Sequence, residues 1–135
     1  MKKNMKDKKE YRSLLQKGNV KEAKEEVSKM LSKERRDDVL KEIADSNSME
    51  LLFHAYSSIK NDLGKSDVNL LLDVLQKMKR PLLDGEEIAG YKRTKRDISA
   101  KIESITQVNR SPEEIENPDN LDSFISKVKE WLNTN

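Results

Sequence analysis

The chain of 135 residues contains no cysteine, only four glycines and three prolines, and 4% aromatic residues. The absence of cysteine excludes disulfides, thiolate metal sites and cysteine nucleophiles. So few turn-forming and aromatic residues, without a run of alternating β-branched residues, argue against a strand-rich fold. No stretch approaches the roughly 20 apolar residues that a membrane span needs. We therefore expect no membrane partner and a cytoplasmic location.

Charged residues are abundant instead, at 39% of the chain, against 34% hydrophobic residues. Leu, Ile, Val and Phe together still make up about 24% of the chain, above the roughly 20% below which disorder is expected. The net charge is only +2, so self-repulsion does not oppose folding. These values predict a single domain over residues 1–135 with a thin core. Within it, residues 1–6 are expected to form a disordered basic tail.

Apolar residues recur at spacings of three and four along most of the chain, which is typical of amphipathic helices. Residues suited to helix ends separate these segments: Gly18 with Asn19, Asn47, Asp84, and Ser111 followed by Pro112. The pattern predicts an all-α fold, a single-domain helical bundle or a short helix-hairpin array of about six to seven helices. The most hydrophobic stretch, NLLLDVL at residues 69–75, is expected at the centre of the core.

Residues 14–31, LLQKGNVKEAKEEVSKML, predict two short helices that turn at Gly18 and Asn19. The longer segment of residues 11–31 resembles the junction of a tetratricopeptide-type helix pair, in which a small residue, here Ala23, packs against the partner helix. The larger apolar residues that follow are Val27, Met30 and Leu31. The resemblance implies a protein-binding scaffold, but the spacing does not recur later in the chain. A single αα-hairpin is therefore favoured over an extended repeat array, which needs about three repeats.

Residues 85–105 carry a basic cluster with two interpretations. In the first, the segment is similar to the helix-turn-helix family, with its EIA start at residues 87–89 and its pair of Ile98 and Ser99 in a recognition helix. Lys92 and Arg93 stand where that family's turn has Leu-Gly. This resemblance implies nucleic-acid binding through the following residues: Lys92, Arg93, Lys95, Arg96, Ser99 and Lys101.

In the second interpretation, which the lack of Gly and Pro between Tyr91 and Ile105 favours, the segment is one continuous helix. Its apolar residues then form a heptad-like seam, with Lys95 at an inward position. The residues of this seam are Ile88, Tyr91, Ile98, Ile102 and Ile105. The seam can pair with a helix of the same chain or, at residues 88–105, with a second copy in a homodimer.

Residues 111–122 carry five acidic and no basic side chains, directly after the basic cluster. We expect residues 111–119 to act as an acidic connector that folds back towards Arg93 and Arg96 and competes with phosphates for them. Exposed ion pairs of this kind are individually weak. The connector leads into a last helix with a strongly apolar face.

The function predicted from these features is non-enzymatic: a helical protein–protein interaction or regulatory module or adaptor, a candidate small subunit of a larger assembly. The docking residues proposed are Tyr11, Phe124, Val128 and Trp131, although the last three equally fit a role in closing the core. Nucleic-acid binding is the alternative. The one histidine, His54, has no recognisable metal-ligand partner, so neither a metal, a cofactor nor a catalytic residue is predicted.

Overall fold

The computed structural model describes residue 13 and residues 18–46 and 48–134, which contain seven α-helices and no strand. The described residues thus confirm the predicted all-α class. The helices are α1 (Val20–Ser28), α2 (Arg36–Ser46), α3 (Met49–Ile59), α4 (Val68–Lys77), α5 (Gly85–Thr106), α6 (Pro112–Glu116) and α7 (Asp122–Thr134). Short 3₁₀ turns, Lys60–Asp62 and Lys65–Asp67, connect α3 to α4.

Helix α4 lies at the centre of the bundle, as its hydrophobic sequence predicts. It packs against α2, α5 and α7, while α3 packs against α1, α2 and α5. Six of the ten residues of α4 are buried: Val68, Leu70, Leu71, Leu72, Val74 and Leu75. A helix that is apolar around most of its circumference needs neighbours on several sides, and this position supplies them.

The helix boundaries follow the capping residues of the sequence. Gly18 adopts a positive φ of 76°, which glycine tolerates, and the Asn19 side chain accepts a bond from the Glu22 amide. The Asp84 carboxylate accepts bonds from the two amides of residues 86 and 87 at the start of α5. Ser111 opens α6 with a reciprocal capping box and Pro112 at the first helical position. The predicted acidic connector therefore contains a short helix.

Two predicted features lie outside the described residues: the cap at Asn47, and residues 14–17 of the first helix of the predicted hairpin. Helix α3 begins after Ser48, whose side chain makes no capping bond. The sequence from Asn47 to Glu50 resembles a capping box, in which the Glu50 side chain would bond back to the helix start. In the structure, Glu50 instead accepts a bond from Lys24 of α1 at 2.9 Å. This contact joins the two helices at the solvent-exposed side of their interface.

Residues 85–106 form one continuous helix, so the helix-turn-helix interpretation is wrong: Lys92 and Arg93 lie within regular helix. The helix ends only at Gln107, which adopts a left-handed φ of 65°. The seam predicted on this helix lies against α3 and α4 of the same chain, with Tyr91, Ile98 and Ile102 buried. The prediction of a homodimer through residues 88–105 is therefore wrong for this seam, because the chain itself covers it.

Candidate functional site

The basic residues of α5 do not form one positive surface. Lys95 is only 8% exposed and Ser99 is fully buried, so neither can reach a nucleic-acid backbone or base edge. Position 95 points inward because it continues the buried stripe of Tyr91 and Ile98, one helical turn from each. The prediction that Lys95 and Ser99 bind nucleic acid is thus contradicted by their burial.

Two arginines of the cluster are exposed but engaged with the rest of the chain. The Arg93 guanidinium lies 4.1 Å from the centre of the Phe53 ring on α3, a cation–π contact. Arg96 donates to the backbone carbonyls of Ile115 at 3.4 Å and Glu116 at 2.8 Å. These carbonyls lie at the C-terminal end of α6, where a cation is favoured. The acidic connector does fold back onto Arg96, but through backbone carbonyls instead of carboxylates.

Lys92 and Lys101 complete the cluster, and both are half-buried. They are nine residues apart on one helix, so they emerge on opposite sides of it. A protein that tracks a nucleic-acid backbone presents its cations along one face. Nucleic-acid binding stays an untested prediction, and this arrangement of side chains gives it no support.

The C-terminal helix α7 contributes to the core. Phe124 and Val128 are fully buried, and Trp131 is half-buried and packs against the same core. The prediction that Phe124 and Val128 form an exposed docking surface is therefore wrong, and the alternative role of closing the core is the one observed. Tyr11, the remaining predicted docking residue, lies outside the described residues.

The most exposed large apolar side chains among the described residues lie in the loop between α4 and α5, and they were not predicted as a site from the sequence. Leu82 is 91% exposed and Leu83 is 96% exposed, in the loop between α4 and α5. A sequence signal for this exposure exists: the pair stands between Pro81, which ends helices, and Asp84, which begins one. An apolar pair between two such residues is placed in the loop and not on the buried face of either helix.

A buried carboxylate organises the acidic connector. Glu114 is 7% exposed and accepts bonds from the amides of Ser111 and Phe124, both at 3.0 Å. Burial alone would raise the pKa of Glu114, but these amide bonds, the Ser111 hydroxyl and the charge of Lys127 outweigh it and hold the pKa below its ordinary value. Glu114 thus fixes α6 to the start of α7 as a stable anion.

A second carboxylate with a lowered pKa secures the end of α5. Glu103 accepts bonds from the Arg110 amide at 2.7 Å and from the Arg110 guanidinium at 3.3 Å. Partial burial opposes ionisation of Glu103, yet the bonds and the charge of Arg110 lower its pKa. Arg110 also donates to the buried Ser99 hydroxyl at 3.1 Å. Ser99 therefore serves the fold, not a ligand.

One pair with the geometry of a nucleophile and a base occurs, and the sequence analysis missed it because 26 residues separate its members. The Ser28 hydroxyl lies 2.9 Å from Nε2 of His54. The same hydroxyl also lies 2.9 Å from the Lys24 carbonyl, and its single proton can serve only one of these two acceptors at a time. When the proton serves the carbonyl, the imidazole is the donor to Ser28, which is opposite to what a general base needs.

Neither Ser28 nor His54 lines any of five clefts in the described part of the chain. Within the described ranges, no group of three or more His, Cys, Asp or Glu side chains is arranged to hold a metal ion. Among these residues, too, no helix is both long and apolar enough to cross a bilayer.

Comparison with known proteins found no matching family model, no matching curated protein and no matching solved structure. The tetratricopeptide-type resemblance therefore depends only on residues 11–31 of the sequence itself. Of these, Ala23 and Val27 are fully buried on α1, which packs against α3. The function must be argued from the chain's own surface.

Proposed function

We propose that this chain is a non-enzymatic helical module that binds another protein, as a small subunit or adaptor of a larger assembly, and that it docks through Leu82 and Leu83. The observation that carries this proposal is the exposure of these two side chains, 91% and 96%. Burying a leucine side chain is worth roughly 1.5–3 kcal/mol. The pair therefore offers a partner a substantial favourable free energy that folding leaves unused.

The loop that carries the two leucines is held at both ends. Pro81 is buried and has a restricted φ, and the Asp84 carboxylate accepts bonds from the amides of residues 86 and 87, at 2.9 and 3.3 Å. A short loop fixed in this way loses little conformational entropy on binding. Two exposed apolar side chains on such a loop have the features of a binding anchor.

Charges of opposite sign flank the pair. Arg80 precedes it and lies 3.7 Å from Asp119, while Asp84, Glu86 and Glu87 follow it at the start of α5. The partner expected from this pattern has an apolar recess for the leucines and basic side chains on the rim that meets the start of α5. Charge complementarity at a rim contributes mainly to specificity and association rate.

Site-specific photocrosslinking tests this proposal. The photoreactive residue p-benzoylphenylalanine is placed at Leu83 in cells that express the full chain, and in a matched protein at Ile115. Ile115 is the third exposed large apolar residue, at 45%, and is remote in sequence. We expect a discrete protein adduct from position 83 and not from position 115.

The captured protein is then purified and its affinity for the parent chain is measured by calorimetry. Leu82→Ser combined with Leu83→Ser is expected to weaken binding at least a hundredfold, whereas Ile115→Ser leaves it unchanged. An adduct of equal yield at both positions, or equal affinity of the parent and the double variant, would show that the leucine pair is not the docking surface.

A further inference from the structure

A cleft of about 440 Å³ lies between the end of α4, the middle of α5 and the first half of α7. Its wall includes the buried side chains of Leu75, Met78 and Leu121. Two cationic side chains, Lys95 of α5 and Lys129 of α7, also line it. The cleft therefore combines an apolar wall with two positive charges, and the leucine pair that we propose for docking is not part of it.

Lys95 is an unusual residue for this position. It is only 8% exposed, and its ammonium lies 5.0 Å from the centre of the Tyr91 ring. None of the ion pairs between described residues includes Lys95. The Tyr91 ring stabilises the ammonium through a cation–π contact, and the described chain supplies no anion beside it.

The ammonium of Lys95 nevertheless remains open to the cleft. The fully enclosed side-chain atoms without a hydrogen-bond partner in the described chain are Arg36 Nε and Asp119 Oδ1, and Lys95 Nζ is not among them. Because Lys95 lines the cleft, and its ammonium has the Tyr91 ring but no ion-pair partner in the described chain, the solvent of the cleft reaches its charged end. An anion in the cleft can therefore contact it without any rearrangement of the helices.

The acidic side chains that line the cleft do not cancel this charge. Asp119 Oδ2 lies 3.7 Å from Arg80 Nε, and its other oxygen is enclosed. Asp122 belongs to the first turn of α7, where the helix dipole stabilises a negative charge. With Asp119 balanced by Arg80, Lys95 and Lys129 exceed Asp122 by one positive charge.

We propose that this cleft binds a small organic monoanion, a carboxylate with a short aliphatic body. The carboxylate contacts the ammonium of Lys95, with Lys129 as a second cation at the rim. The aliphatic body lies against Leu75, Met78 and Leu121. A bound monoanion matches the single excess positive charge and compensates the buried cation that the fold leaves unpaired.

The probe that tests this site is hexanoate, titrated into the full chain at low ionic strength and followed by amide chemical shifts in NMR spectra. We expect saturable shifts confined to residues around the cleft. Hexanol, which has the same body without the charge, and inorganic phosphate, which has charge without the body, are each expected to bind at least tenfold more weakly. If hexanoate produces no saturable shifts at the cleft, or if phosphate binds as tightly, the proposal is wrong.

Two variants of α5 assign the binding to Lys95. Lys95→Met keeps the length of the side chain and removes its charge, and we expect at least a tenfold loss of hexanoate affinity. Lys101→Met makes the same change on the same helix at a residue that does not line the cleft, and it should leave the affinity unchanged. Equal affinity of the parent and Lys95→Met would overturn the assignment.

The stability of the Lys95→Met protein provides an independent measurement, because a merely structural lysine and a ligand-binding lysine predict different results. Replacing an unpaired buried charge by an apolar side chain is expected to leave the thermal midpoint unchanged or to raise it. A marked fall in the midpoint would show that the contacts of Lys95 within the chain stabilise its charge, which contradicts its description as a cation left without an anionic partner.

Discussion

Two runs of leucine, ten residues apart, differ completely in how far their side chains are exposed to solvent. Leu70, Leu71 and Leu72 of α4 are 5%, 1% and 2% exposed, whereas Leu82 and Leu83 are 91% and 96% exposed. The side chains are identical, and only their surroundings differ. Helix α4 has α2, α5 and α7 around it, while the loop has a proline on one side and a helix cap on the other. Hydrophobicity therefore specifies what a residue gains from burial, and the topology decides whether burial occurs.

The acidic connector shows the opposite case, in which a charged side chain is buried and its apolar neighbour is exposed. Glu114 is 7% exposed, and its apolar neighbour Ile115 is 45% exposed. Ser111 and Pro112 fix the register of α6, which turns Glu114 towards the amide of Phe124 and Ile115 away from the core. A charged side chain is buried here because it satisfies several donors at once.

The largest effect that tests this comparison comes from truncating one leucine of each run. Leu71→Ala leaves a cavity in the core and is expected to lower the free energy of unfolding by about 2–5 kcal/mol. Leu83→Ala, the matched control, should change it by less than about 0.5 kcal/mol, because the side chain is solvated in the folded state. Urea unfolding followed by circular dichroism measures both values. Similar losses in the two variants would contradict the contrast.

A buried tyrosine provides the next largest effect, at alkaline pH. Burial, together with the nearby negative charge of Asp97, raises the pKa of Tyr56 from 10.0 to about 12. The unfolded chain therefore releases this proton first, so the stability held by neutral Tyr56 is present below pH 10 and is lost as the pH rises towards 12. The shift corresponds to about 2–3 kcal/mol.

Tyr56→Phe removes this ionisation, and with it the hydrogen bond from the Tyr56 hydroxyl to the Asp97 carbonyl at 3.2 Å. We expect the variant to be less stable than the parent near neutral pH by about 1 kcal/mol. Between pH 9 and pH 12 it should lose about 2–3 kcal/mol less than the parent loses. Parallel loss of stability in the two proteins over this range, measured by urea unfolding, would argue against the raised pKa.

The smallest predicted effect concerns Glu114 in acid. Because the folded protein holds the pKa of Glu114 below its ordinary value of 4.5, the unfolded chain takes up more protons in acid. The stability contributed by the carboxylate is therefore present above about pH 4.5 and is lost as the pH falls through the lower pKa of the folded state.

Glu114→Gln is expected to cost about 1–3 kcal/mol at pH 7, because one of the amide donors loses its acceptor. Its stability should also depend less on pH below 4.5 than that of the parent. Glu113→Gln, the exposed neighbour, serves as the control and should behave like the parent. If both variants show the acid dependence of the parent, Glu114 does not carry it.

Much of the secondary structure could be predicted from the sequence, because helix ends depend on local chemistry. The turn at Gly18, the cap at Asp84 and the capping box at Ser111 each involve residues within three positions of one another. The position of α4 inside the bundle was also predictable, since its apolar residues cover more than half of its circumference. Local hydrogen bonding and local periodicity are properties of short stretches, and a short stretch contains that information.

The surface could not be predicted to the same extent. The basic residues of α5 read as one cluster in the sequence, but Arg93 contacts Phe53 on α3 and Arg96 binds carbonyls of α6. The apolar face of α7 fits docking and core packing equally well until its neighbours are known, and Phe124 is in fact buried. These assignments depend on contacts between residues distant in the chain.

The sequence by itself determined that this protein is an all-α bundle with α4 at its centre, because helix periodicity, capping and burial of apolar faces act over a few residues at a time. Only the tertiary structure decided which side chains remain for function. It paired Arg110 with Glu103, enclosed Lys95 beside a cleft and left Leu82 and Leu83 in solvent. The reason is that exposure is a property of a position among packed helices, and the same residue type serves the core in one helix and a binding surface in the next loop.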